Sequence, residues 1–224
     1  MLNTIEKIIH QRTEQFLLAL GVAIAIYFLP LLDIPVRWLG LFFHEFSQGM
    51  VAVLSGGKFM SLDFAKGNVK AVFTHHDLWI PLFAGYMGNI FGGVLIYYSA
   101  QIMSPKLGNF AATIAALLVG ITILFVGKSD NALLLGELVC FGLIMIIPLR
   151  RVVGVRIFYK IISLSLIISV MLVPIDSVFL QMDVDAQSLS DLLSAPTPVW
   201  LMCWFAMAVI TMRFIWIDHC MNGW

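Results

Sequence analysis

Apolar residues in this chain do not alternate with polar ones. They gather in long runs separated by short polar breaks. A membrane crossing of roughly 30 Å needs about 20 such residues. Seven runs approach that length: Glu14 to Leu32, Val36 to Leu54, Leu78 to Met103, Leu107 to Val126, Asn131 to Leu149, Phe158 to Ile175 and Val199 to Ile217. The second is short and polar in its middle, which predicts a partial or tilted span. Pro30 and Pro35 bracket the first turn, Pro105 follows the third run and Pro198 opens the last helix, as helix punctuation should.

Two connections have patterns of their own. Ser55 to Asp77 opens with Gly56-Gly57 and alternates polar and apolar residues around Lys66-Gly67-Asn68, which predicts a small β-hairpin at the membrane surface. Asp176 to Pro198 carries Asp176, Asp183, Asp185 and Asp191 and no Lys or Arg; a short interfacial helix is predicted near Ala186 to Ser194. At the start, residues 1–13 form a short amphipathic segment with Ile5, Ile8 and Ile9 on one side. No small-residue cleavage pattern follows it, so a signal peptide is not expected. No internal repeat is visible. The expected architecture is an all-α polytopic membrane protein, a single membrane domain over residues 1–224 with about six to seven transmembrane helices and the small surface β-hairpin.

Composition supports that solvent. Of 224 residues, 61% are hydrophobic and 12% charged, and the mean hydropathy is +0.97. Globular chains run at about 45–50% apolar and about 25% charged. The net charge of zero argues against nucleic acid as a partner. Cys140, Cys203 and Cys220 have no metal or pairing spacing. Arg150, Arg151, Arg156 and Lys160 form the densest basic stretch and so favour the cytoplasmic side, although Lys58, Lys66 and Lys70 then share the outer side with the acidic stretch. Trp38, Trp79, Trp200, Trp204, Trp216 and Trp224 cluster toward span ends, as an interfacial belt would.

The chemistry sits in "LGLFFHEFSQGM", Leu39 to Met50. An ionisable group inside a span costs roughly 2.5–3.5 kcal/mol, so His44 beside Glu45 demands a partner or a task. His44 and Gln48, at i and i+4, share one helix face, with Glu45 bordering it. With histidine at both positions this would be H-E-x-x-H, in which two imidazoles bind zinc and the glutamate activates water. Gln48 stands in the second position.

The segment "FFHEFSQGMVAVLSGGKFMSLDF", then "GNVKAV" and "PLFAGYMGNIFGG", resembles the site-2-protease-like intramembrane zinc metallopeptidases, above all their compact bacterial branch. Gly85, Tyr86, Gly88 and Asn89 match its Gly-Tyr-x-Gly helix. "DAQSLSDLLSAPTPVWLMCW" resembles a later segment of the branch through Asp185, Ala186, Leu189, Pro196 and Trp200. The resemblance implies that His44 is a zinc ligand, that Glu45 is the general base and that Gln48 fills the second histidine's place. It implies a third ligand from an aspartate. Asp130 and Asp185 are the candidates, and His75 or His76 can replace the lost imidazole. Asn89 becomes a substrate clamp, with Gly85 beside it on the substrate side.

Three functions are carried forward. The first is hydrolysis of peptide bonds in or near the membrane with zinc as cofactor. The second is a non-catalytic pseudoprotease that binds transmembrane helices as a scaffold or chaperone. The third is a small proton-coupled transporter using His44 and Glu45 as a relay, which predicts an inverted repeat. The expected partners are membrane lipids and a transmembrane protein substrate or client. The expected location is a multi-pass position in a bacterial inner membrane.

Overall fold

The computed structural model describes residues 2–65, 68–74, 78–102, 152–179 and 183–222. Among them are six helices: α1 (Leu2–Phe28), α2 (Pro30–Leu54), α3 (Trp79–Ile102), α4 (Val152–Phe179), α5 (Val184–Leu193) and α6 (Thr197–Asn222). A two-stranded antiparallel sheet, β1 (Lys58–Ala65) and β2 (Asn68–Thr74), lies between α2 and α3, with its register shifted between Phe59 and Ser61. Three helices among the described residues are long and apolar enough to cross a membrane, over Trp79–Gln101, Arg156–Ser177 and Thr197–Met221. The expected spans at Leu107 to Val126 and Asn131 to Leu149 lie outside the described residues. So do His75, His76 and Asp130.

Several boundaries differ from the expected ones for identifiable reasons. The N-terminal segment and the first apolar run form one helix, α1, because neither Gly nor Pro separates them. The turn bracketed by Pro30 and Pro35 shrinks to Leu29, at φ −103° and ψ 100°. A residue before proline prefers that extended region, and proline fits the first helical position, where its missing N–H costs no bond. Helix α4 runs through Pro174 and carries Asp176 with it. The stretch read as an acidic loop is therefore divided between the end of α4, the separate helix α5 and the start of α6.

Helix α2 ends in a turn that requires glycine. The Gly57 amide donates to the Ala52 carbonyl (2.8 Å) and the Gly56 amide to the Val53 carbonyl (3.0 Å). Gly56 has φ +90°, the left-handed cap that closes a helix with this pair of bonds. The turn sends the chain into β1.

Helix α3 lies at the centre. It packs on α2 and α4 through glycines. A Cβ at Gly88 would collide with Ser47 Oγ and lie 2.5 Å from the Phe43 carbonyl oxygen. One at Gly92 would lie 2.6 Å from the Phe43 ring, and one at Gly93 2.8 Å from Ile167. Small residues let membrane helices approach at backbone distance, where dispersion and hydrogen bonds hold them. Ser47 Oγ donates to the Ala84 carbonyl (2.8 Å) and Ser163 Oγ to the Gly93 carbonyl (2.7 Å). The core joins Phe16 and Ala23 of α1, Ile90 and Tyr97 of α3, Leu164 and Ile167 of α4, and Trp204 and Ala208 of α6. Trp204 therefore does not belong to an interfacial belt. It is fully buried, its ring centroid is 4.5 Å from that of Tyr86, and its Nε1 donates to the Phe83 carbonyl (3.2 Å).

Candidate metal centre

Helix α2 presents Phe43, His44, Ser47 and Gln48 to the glycine face of α3. His44 is 8% exposed and Gln48 4%. Gly85 lies directly behind them: a Cβ there would fall 2.5 Å from His44 Nε2 and 2.8 Å from Gln48 Nε2. Tyr86 meets the His44 ring edge-on, with centroids 4.6 Å apart and planes at 85°.

The third side chain comes from 141 residues away. Asp185, in the first turn of α5, places Oδ2 2.7 Å from His44 Nε2. Gln48 Nε2 donates to the same oxygen at 2.8 Å and lies 3.0 Å from His44 Nε2. With the carboxylate ionised, Oδ2 accepts from both nitrogens. A His44 Nε2 that carries a proton cannot also accept from the Gln48 amide, so the third edge of the triangle is then a contact between two donors. The three side chains form a closed polar face between two helices.

The local sequence explains how α5 delivers Asp185. Asp183 is the N-cap, and its Oδ1 accepts from the Ala186 amide at 2.9 Å. Its Oδ2 accepts from the Tyr86 hydroxyl, so the cap also anchors α5 to α3. In the sequence Asp183 is one of four aspartates in an acidic connection, and no local pattern there points to a phenol partner on a distant helix. Replacing Asp183 by alanine removes both bonds. Loss of the cap alone costs about 1 kcal/mol, so Asp183→Ala is expected to lower the thermal unfolding midpoint in detergent.

His44, Glu45, Tyr86, Asn89, Asp183 and Asp185 line one cavity of about 790 Å³, which continues along α2 to Arg37 and Asp33 and along α4 from Ser165 to Asp176. Of the residues singled out from sequence, the structure brings His44, Gln48 and Asp185 together. It puts Glu45 and Asn89 on the wall of the same cavity and Gly85 behind the imidazole.

The chain matches the sequence model of the Peptidase M50B-like family over residues 17–215. It belongs to that family. The Peptidase M50B-like proteins are site-2-protease-like membrane metallopeptidases, so the apolar helices of this member are those of an integral membrane protein. No curated protein and no solved structure matches the chain. Zinc is the metal of the family. Among the described residues no three His, Cys, Asp or Glu side chains group as a metal shell. The triangle here supplies an imidazole nitrogen, a carboxylate oxygen and a side-chain amide. Rotating that amide by half a turn exchanges its nitrogen for an oxygen without moving the chain, and O and N positions are assigned from the hydrogen-bond network. The set fits a divalent cation, with one donor harder than the imidazole zinc prefers.

Proposed function

We propose that this protein hydrolyses peptide bonds of polypeptide segments within or beside the membrane. The observation that carries this reading is the meeting of His44, Gln48 and Asp185 at one point on the wall of a cavity that Glu45 also lines. These three side chains would hold zinc, and a zinc ion there supplies a Lewis acid that polarises the scissile carbonyl and acidifies water. Glu45 takes a proton from the attacking water and delivers it to the leaving amine nitrogen, as the carbonyl carbon gains oxygen and loses nitrogen. Asn89 and the β1–β2 hairpin hold the segment extended. A strand edge does so through main-chain hydrogen bonds, which an unwound segment otherwise lacks in lipid.

One observation favours a second reading. The Gln48 amide nitrogen donates to Asp185, an arrangement that satisfies the carboxylate with no cation. A non-catalytic member that binds transmembrane segments as a scaffold would keep the cavity and lose the metal. Metal analysis of the purified full chain separates the two. The hydrolytic reading expects about one zinc per chain, absent in His44→Ala, together with cleavage of a single-span peptide. Glu45→Gln is expected to keep the zinc and lower the cleavage rate by about 10²–10⁴-fold. Metal-free protein that binds the peptide without cutting it establishes the scaffold instead.

A further inference from the structure

The cavity extends well beyond the His44–Gln48–Asp185 triangle. Asp33 and His44 both line it and lie eleven residues apart on α2, about 16 Å along the helix. That length accommodates about five residues of extended chain. Its wall is acidic: Asp33, Glu45, Asp176, Asp183 and Asp185 line it, against Arg37 and His44 as the two side chains there able to carry positive charge. Arg37 is committed to Asp33, with Nη2 and Nε at 2.6 and 3.1 Å from Oδ2. Asp176 receives the phenol of Tyr27 and Asp183 that of Tyr86, and neither phenol brings a positive charge.

A second observation points the same way. Asn89 is 6% exposed and lines the same cavity, and its Oδ1 is buried with no hydrogen-bond partner among the described residues. A buried acceptor without a donor is costly. It calls for a guest that brings N–H groups rather than acceptors.

We infer that this cavity, with Asp176 and the unpartnered Asn89 side chain on its wall, is a subsite for the cationic side chain of a lysine or arginine in the bound polypeptide segment. A charged guest in an apolar protein is stabilised only where opposite charge awaits it, and here that charge is built into three helices. A segment with a basic residue within about five positions of the bond at His44 fits; one with an acidic residue there meets like charge. The inference rests on the reading of the cavity as a polypeptide site, but not on hydrolysis.

The test uses the full chain in nanodiscs and three labelled apolar peptides, identical except for Lys, Gln or Glu near a central Gly-Gly. The wild type is expected to bind the Lys peptide about tenfold more tightly than the Gln peptide and the Glu peptide least, with the Lys preference shrinking as salt rises. Asp176→Asn retains an acceptor for Tyr27 and is expected to bring the affinities for the Lys and Gln peptides level. Asp176→Lys should favour the Glu peptide. The salt dependence of the wild type reads the same contact if either variant fails to fold. Equal binding of the three peptides by the wild type overturns the inference, as does binding of none. Displacement of the Lys peptide by spermidine at concentrations that leave the Gln peptide bound supports the charge contact. Spermidine binding without any peptide preference assigns the site to a free amine and overturns it. A Lys preference in zinc-free, inactive protein removes the hydrolytic reading and leaves the subsite standing.

Discussion

Gln48→His is expected to raise the affinity of the cleft for zinc by about 10–100-fold, the scale on which a change in a metal's surroundings acts. The position is already set. Gln48 Nε2 stands 2.8 Å from Asp185 Oδ2 and 3.0 Å from His44 Nε2, so an imidazole one helical turn after His44 enters within reach of both side chains. The change exchanges a hard amide donor for the nitrogen that zinc binds at about 2.0–2.1 Å. It also removes the N–H that now donates to Asp185, which frees that carboxylate for the cation. Competition titration with a zinc chelator reads the difference. Unchanged affinity would mean that the wild-type protein does not use this triangle for metal. A parallel gain in peptide cleavage would show that the amide alone limits the chemistry.

Gly88→Ala is the second large effect, and it acts through the fold. The added methyl meets the Phe43 carbonyl oxygen at 2.5 Å and Ser47 Cβ at 2.5 Å. A backbone carbonyl in the middle of a helix cannot step aside, so α2 and α3 must separate. Forcing one methyl into a packed contact costs about 1–3 kcal/mol, and separation also breaks the bond from Ser47 Oγ to the Ala84 carbonyl. A lowered unfolding midpoint together with loss of bound zinc is the expected outcome. Gly85→Ala makes an instructive contrast. Its methyl meets the His44 and Gln48 side-chain ends at 2.5–2.8 Å, and side-chain ends can rotate. That variant is expected to keep near-native stability while losing metal. If Gly85→Ala and Gly88→Ala lowered stability equally, the close approach of α2 and α3 would not be what positions His44.

The contrast also marks how much was legible in the sequence. The apolar runs behind α3, α4 and α6 announce themselves because a span needs length and composition and little else. The shared face of His44 and Gln48 follows from helical periodicity. Asp185 was one of two aspartates weighed as a third ligand, and the structure places it beside both. What escaped was the route by which it arrives. Asp183 caps α5 and holds the Tyr86 hydroxyl, a contact spanning 97 residues that no local pattern encodes. Trp204 escaped for a related reason. Its indole reads as an interfacial anchor until the Phe83 carbonyl and the Tyr86 ring are seen to enclose it. Local rules describe each helix, whereas the meeting of helices depends on side chains far apart in the chain.

The glycine face of α3 has a consequence for how such a protein can change. Where two helices touch main chain to main chain, their spacing is indifferent to which donor projects at position 48. A single codon can then exchange the donor at position 48 while the architecture around it stays as it was. The chamber beside it keeps its shape as a receptor whichever side chain stands there.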